Sequence, residues 1–390
     1  MPMQLSDRIQ RVSNSATMAM TQAAREMREA GRDVIALSVG EPDFATPDHI
    51  VEAANRAMAE GHTGYTAADG ITELKEAIAR KFARDNGLNY ATEQISVAPG
   101  GKAVIWNALA VTVGPGDEVI VPTPCWVSYP DMVRLTGATP VMLEGGADFK
   151  ITPDALAAAI TPATRWLMLN SPSNPTGAVY SAEELAALAD VLRAQPQVMV
   201  LSDDIYEALV YDNARFAAMA AVAPDLKDRV LTMNGVSKAY AMTGFRIGYA
   251  GGPKWLIDAM RKFIGQTTSC PAAPSQWAAV AALDGPQDFL DGWRAQYRAR
   301  ARTMTVALVA TGLACTLPDG AFYVFADCRE AAEARGLDDA QLALAILRET
   351  GVATVPGSAF HAPGHLRLSY AASMDQITEA CRRITSYLDG

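Results

Sequence analysis

The chain has 390 residues, half of them hydrophobic and 19% charged, and its formal net charge is −10. That length exceeds one ordinary core, so two domains are expected, and the apolar content excludes wholesale disorder. The acidic balance argues against nucleic acid as the main partner, because binding phosphates needs a basic face.

The N-terminal stretch from Met1 to Arg11 is polar and mixed in charge, without a signal-peptide pattern. No apolar run reaches the roughly 18–20 residues of a membrane span, so a cytoplasmic protein without membrane contacts is expected. A helical pattern over 16–30 and a strand over 34–39 come first. Short apolar runs then alternate with helical patterns: 95–98, 118–121, 139–143, 165–169, 198–201, 230–233 and 246–250 read as strands. Helices are predicted between several of them, at 102–113, 128–136, 153–160 and 182–193. Such alternation indicates an α/β domain with a largely parallel sheet. After Pro286 the texture changes to a long helix (287–310), a strand at 320–325, a helix at 338–350, strands at 352–355 and 365–369, and a terminal helix. The expected division is a large domain at 46–286 and a smaller α+β domain at 287–390. Residues 1–45 would join the small domain or the partner subunit, or bridge to the large domain.

The five cysteines are scattered, with no CxxC pair, and are expected to be reduced thiols. His361 and His365 have the spacing of a helical metal pair, but Pro363 and Gly364 between them disfavour a helix, and no metal is expected.

Several chemistry-bearing residues follow the predicted strands closely. Lys238 lies just past 230–233, and Gly100-Gly101-Lys102, Asn174 and Asp203 sit at or beyond the ends of other strands. In a parallel sheet these groups converge on the carboxyl edge, where α/β folds bind ligands. A lysine there can form a Schiff base with an aldehyde cofactor, and Arg246 can hold that cofactor's phosphate; a solvated surface lysine is the alternative. The paired glycines allow close approach to a phosphate at a helix N-terminus, although Ser96 and Ala103 exclude a Walker A loop. Asp203 can keep a pyridine nitrogen protonated, making the ring an electron sink, or it can be a plain strand-end acid. Asn174, in a turn-rich Asn-Pro-Thr-Gly segment, can donate to a ring oxygen, and Trp126 can stack on a ring. Arg367 interrupts an apolar strand pattern, which asks for a buried partner: a substrate carboxylate or a structural acid.

Gly40-Glu41-Pro42-Asp43-Phe44, Asn174-Pro175-Thr176-Gly177, Ser202-Asp203-Asp204-Ile205-Tyr206, Ser237-Lys238 through Arg246, and Arg367-Leu368-Ser369-Tyr370 occur in this order along nearly the whole chain. Together they resemble the class I pyridoxal-phosphate aminotransferases, and within them the bacterial aspartate and prephenate aminotransferase branch. The resemblance implies a fold-type I transferase with a mostly parallel seven-stranded sheet in the large domain. It also implies a homodimer with shared active sites and a ping-pong exchange of an amino group between an amino acid and a 2-oxo acid. Lys238 would form the imine with pyridoxal 5'-phosphate and move the proton, Asp203 would hold the ring nitrogen, and Asn174 and Tyr206 the ring hydroxyl. Trp126 would stack on the ring. Gly100, Gly101, Lys102 and Arg246 would form the phosphate region, with Tyr65 reaching across from the other subunit. Arg367, the Gly40 backbone and Asn174 would grip the α-carboxylate. Residues 266–271 contain no arginine for a distal carboxylate. In the branch that the chain resembles, a lysine at the Gly-Gly-Lys position serves instead, which implies Lys102, aided by Thr17 and Ser269, with a phosphate ligand or a helix-surface charge as the alternatives for Lys102. Aspartate with 2-oxoglutarate is the expected pair. Prephenate, aromatic or alanine substrates, a β- or γ-lyase activity and a non-catalytic sensor are the alternatives.

Overall fold

The computed structural model describes residues 4–12, 16–212 and 214–390, without the side chains of residues 16 and 17. A two-residue strand, β1 (Ile35–Ala36), precedes β2 (Ile95–Ala98), β3 (Glu118–Thr123), β4 (Thr139–Glu144), β5 (Thr164–Asn170), β6 (Met199–Asp203), β7 (Val230–Gly235) and β8 (Gly248–Gly251). Then follow β9 (Tyr323–Asp327), β10 (Val352–Ala353), β11 (Val355–Pro356) and β12 (His365–Ser369). Strands β2 to β8 form one seven-stranded sheet in the order β2-β8-β7-β6-β5-β3-β4. Only β8 runs against its neighbours. Near-continuous apolar runs such as Val119, Ile120 and Val121 suit strands covered on both faces, and all three are fully buried.

Helices pack on both faces. One core forms around Ile78, Phe82, Leu188 and Tyr249, and a second around Ile105, Leu109, Trp166 and Met260. The helix Ala182–Arg193 starts with a capping box in which Ser181 Oγ accepts from Glu184 N and Glu184 accepts from Ser181 N. A separate core gathers Leu37, Tyr297, Phe322, Leu347 and Ile384 around the antiparallel sheet β11-β12-β9 and the long helix Phe289–Ala310.

The register places the functional edge. Asn170, ending β5, is paired with Asp203, ending β6, and Asp203 with Met233 of β7. Asn170 and Asp203 therefore end level, β7 runs on past Met233 to Gly235, and the loops that follow all three open onto one cleft.

Three predicted strands need correction. Of residues 34–39 only Ile35–Ala36 pair, with β10. The carbonyls that follow are taken elsewhere: Leu37 O by Ser369 N, Ser38 O by Arg367 and Gly40 O by Lys238. Residues 352–355 divide between two sheets, because Val352–Ala353 pair with β1 and Val355–Pro356 with β12. The strand expected at 320 begins at Tyr323, because Ala321 takes a left-handed φ of 58° and its N–H goes to Leu209 O.

Candidate active site

A cavity of about 590 Å³ opens at the carboxyl edge of β5, β6 and β7, against the small sheet. Its lining includes Gly40, Gly101, Lys102, Trp126, Asn174, Asp203, Tyr206, Lys238, Arg246 and Arg367, which the sequence scatters over more than 300 positions. Gly100 stands directly behind Arg246: a Cβ there would collide with the guanidinium, so glycine is required at this close approach and at its φ of 90°. Tyr65 is 92% exposed and does not line the cavity of its own chain. The side chain of Thr17 lies outside the described residues. Ser269 is exposed.

Lys238 follows β7 by three residues, and its Nζ donates to the Gly40 carbonyl at 2.5 Å. Burial pulls its amine down to about 8, while Glu41 opposes that shift. Asp203 is buried at the end of β6. Its Oδ2 accepts from Tyr129 OH at 2.5 Å and its Oδ1 from Ile205 N at 3.2 Å. Desolvation raises this carboxyl to about 6 against the lowering pull of those bonds. Asp204 is buried as well, so neither acid is the solvated strand end that the sequence left open.

Arg367 comes from β12. One Nη donates to Asn174 Oδ1 at 3.0 Å and the other to Ser38 O at 2.7 Å. Its guanidinium lies over the Tyr323 ring at 4.5 Å and over Phe360 at 4.9 Å. Its Nε has no hydrogen-bond partner among the described residues, and burial without a carboxylate lowers its pKa. A fully buried guanidinium with no acid beside it is costly unless an anion arrives.

Gly101 opens the helix Gly101–Thr112, whose first N–H groups face the cleft beside Arg246. Arg246 is held in the left-handed region at φ 56°, with an Nη on Thr243 O at 2.8 Å. Lys102 is exposed at the same end, with its ammonium 4.8 Å from the Trp126 ring centre. Desolvation and Arg246 both lower its pKa.

These groups fit pyridoxal phosphate, the cofactor that the resemblance implies. The cleft offers a helix N-terminus with an arginine for a phosphate, a buried carboxylate for a ring nitrogen, an aromatic wall and a poised amine. The orphaned Nε of Arg367 leaves a donor for a carboxylate. Among the described residues, no group of three His, Cys, Asp or Glu side chains is placed to hold a metal.

The depressed amine has a measurable consequence. In cofactor-free protein Lys238 is neutral above about pH 8 and protonated below it. The initial rate of pyridoxal phosphate uptake, followed by absorbance, is therefore expected to rise about tenfold from pH 7 to pH 9. A rate flat over that range would contradict the assignment of Lys238 as the reacting amine.

Sequence reasoning missed four contributors: Tyr129, Tyr323, Asn170 and Ser38. Tyr129 stands three residues after Trp126, and the turn closed by Tyr129 N on Trp126 O at the entry to the helix Ser128–Thr136 brings both rings together at 5.4 Å. That spacing was the available signal. Tyr323 was visible only as part of an apolar strand.

Residues 32–384 match the family model for aminotransferase class I and II. The aspartate/prephenate aminotransferase of Cereibacter sphaeroides is 52% identical over 396 residues, covering 99% of each chain. Among solved structures, the aspartate aminotransferase of Rhizobium meliloti superposes with a TM-score of 0.96 at 46% identity, over 99% of both chains. That of Thermus thermophilus with maleate gives 0.94 at 43% identity, over 98% of this chain and 99% of that one. Joined to a cleft that carries Lys238, Asp203 and Arg246 beside a helix N-terminus, these matches identify the chain as a member of the class I and II aminotransferases, working with pyridoxal phosphate.

Proposed function

We propose that this aminotransferase moves the amino group of L-aspartate to 2-oxoglutarate, as a cytoplasmic homodimer. One observation carries the substrate choice: a single cavity combines a buried, acid-free guanidinium (Arg367) with an exposed ammonium (Lys102). A dicarboxylic amino acid asks for two such cations. The names of the relatives, aspartate and aspartate/prephenate aminotransferase, point the same way.

Bound pyridoxal phosphate supplies an electron sink that makes the substrate's Cα–H acidic. Gly101, Arg246 and the helix N-terminus behind them would hold its phosphate, with Gly100 giving Arg246 room. Asp203 would keep a proton on the ring nitrogen, Asn174 and Tyr206 would bond the ring hydroxyl, and Trp126 would pack on the ring. Arg367 and Asn174 bind the α-carboxylate, aided by the Gly40 backbone, while Lys102 holds the distal one. Lys238 Nζ takes the Cα proton as a base and redelivers it as an acid. Its pKa near 8 lets it exchange a proton readily at neutral pH. The large half, 46–286, carries the cofactor residues. The small half, 287–390, would bring Arg367 and Tyr323 against them, and the described part of 1–45 would join the small half, where Met20, Ala24 and Leu37 enter its core. Tyr65, with the exposed Val51 and Met58 on the same stretch of chain, suits a subunit contact. Sedimentation giving a monomer at assay concentration would remove the dimer.

The decisive measurement is a panel of amino donors against 2-oxoglutarate. Aspartate should have the highest kcat/KM, and Lys102→Ala should lower that value about tenfold or more while changing alanine turnover by less than about threefold. Equal losses for both donors would detach Lys102 from the distal carboxylate. Pyruvate and ammonia formed without any oxo acid would replace the transferase reading with a lyase.

A further inference from the structure

Tyr323 has no role in the reading above, yet its side chain touches three of the groups that do. It is 1% exposed, comes from β9 and lines the cavity. Its hydroxyl is 2.8 Å from the hydroxyl of Tyr206. Its ring face lies 4.5 Å from the Arg367 guanidinium. The backbone of Gly40, whose carbonyl holds Lys238, runs so close that a Cβ at Gly40 would lie 2.8 Å from the Tyr323 oxygen.

We propose that Tyr323 is a positioning residue joining the substrate-carboxylate grip to the ring-hydroxyl ligand, its ring seating Arg367 and its hydroxyl orienting the Tyr206 proton into the cavity. The inference rests on Arg367 binding the α-carboxylate. The two ends act differently. A guanidinium over an aromatic face is attracted by the ring quadrupole, most strongly where water is excluded, and that needs the ring but not the hydroxyl. A phenol next to a cation is the better hydrogen-bond donor, so Tyr323 donates to Tyr206 and leaves the Tyr206 proton to point elsewhere. The lowering pull of Arg367 on the Tyr323 hydroxyl has the same sense. When a carboxylate neutralises Arg367, this polarisation weakens and the Tyr206 bond weakens with it. Substrate binding would thus be felt at the ring oxygen through one side chain.

The two ends can be separated in the holoenzyme by Tyr323→Phe, which keeps the ring, and Tyr323→Leu, which removes both. The readouts are maleate affinity by calorimetry and the pH midpoint of the holoprotein's visible absorbance. Tyr323→Phe is expected to bind maleate within about twofold of the unsubstituted enzyme. Its absorbance midpoint should move up by about half a pH unit, because a weaker donor stabilises the ring oxyanion less. Tyr323→Leu is expected to show the same upward shift and to weaken maleate about tenfold. Tyr206→Phe should raise the midpoint by at least as much, and adding Tyr323→Phe to it should raise it no further, as one pathway requires. This cycle also keeps the test decisive if Tyr323→Leu does not fold. Equal maleate affinity in the Phe and Leu variants, an unmoved midpoint in Tyr323→Phe, or additive shifts in the double variant would each overturn the proposal. Arg367→Ala serves as the control: if it binds maleate as tightly as the unsubstituted enzyme, the carboxylate reading falls and this inference with it. If it weakens binding while the Tyr323 variants behave alike, only the inference falls.

Discussion

Replacing Lys238 by alanine is expected to reduce kcat by about 10⁴-fold or more, with the fold retained. The magnitude follows from the work concentrated on one atom. Proton transfer by a positioned side chain contributes about 10²–10⁴-fold by itself, and on the proposed reading this amine is also the nucleophile toward the cofactor aldehyde. Among the described residues, the only other lysine lining the cavity, Lys102, is exposed beside Trp126 and is not held by Gly40. Stability should change little, because the substitution removes a buried amine whose desolvation already opposes its charge. Single-turnover absorbance with aspartate, set beside a thermal melt, measures both effects. Borohydride reduction of the unsubstituted holoenzyme followed by peptide mapping should find the pyridoxyl label on Lys238. A label on another residue, or a variant that keeps a tenth of the activity, would end the assignment.

Asp203→Asn is expected to lower kcat about 10³-fold while leaving the protein without cofactor at least as stable as before. Asparagine preserves the shape: its Oδ1 can still accept from Ile205 N while its Nδ2 donates to the Tyr129 hydroxyl, so on the proposed reading the loss is chiefly one of charge opposite the ring nitrogen. The stability half has a definite sign. The carboxyl is raised from 3.8 to about 6 in the fold, chiefly by desolvation. Its stabilising contribution is therefore full below pH 4 and lost as pH rises through 6. Above that pH the native protein carries a buried carboxylate that costs up to about 3 kcal/mol, which a neutral amide avoids. Melting curves of the two cofactor-free proteins should thus differ most at pH 7–8, with the Asn variant the higher, and should converge near pH 4. A variant that melts lower at pH 7.5 would show that Asp203 is a structural anchor first.

Much of this site could be read from the chain because its chemistry is carried by residues next to strand ends. Gly101, Asp203 and Lys238 each close or follow an apolar run, and a parallel sheet brings such positions to one edge. Arg367 was conspicuous because a charge inside an apolar strand demands an explanation. Tyr129 and Tyr323 were not conspicuous: a tyrosine in a helix's first turn or in a buried strand reads as packing. Their hydroxyls gain meaning only from partners 74 and 117 positions away. The failed strand at 34–39 has a similar cause, since the carbonyls of Leu37 and Ser38, and of Gly40 just beyond, serve Ser369, Arg367 and Lys238 rather than a ladder.

By itself, the order of apolar runs, glycines and charged residues determined the α/β architecture, the lysine, the acid and the arginine. Those signals are local, a matter of periodicity and of polar groups in costly places. The tertiary structure alone decided the register of β5, β6 and β7, the pairing of Tyr206 with Tyr323 and the acid-free burial of Arg367. Each depends on which distant segments exclude water from one another, and desolvation, which sets the charge state of Asp203 and Lys238, belongs to the packed assembly rather than to any stretch of chain.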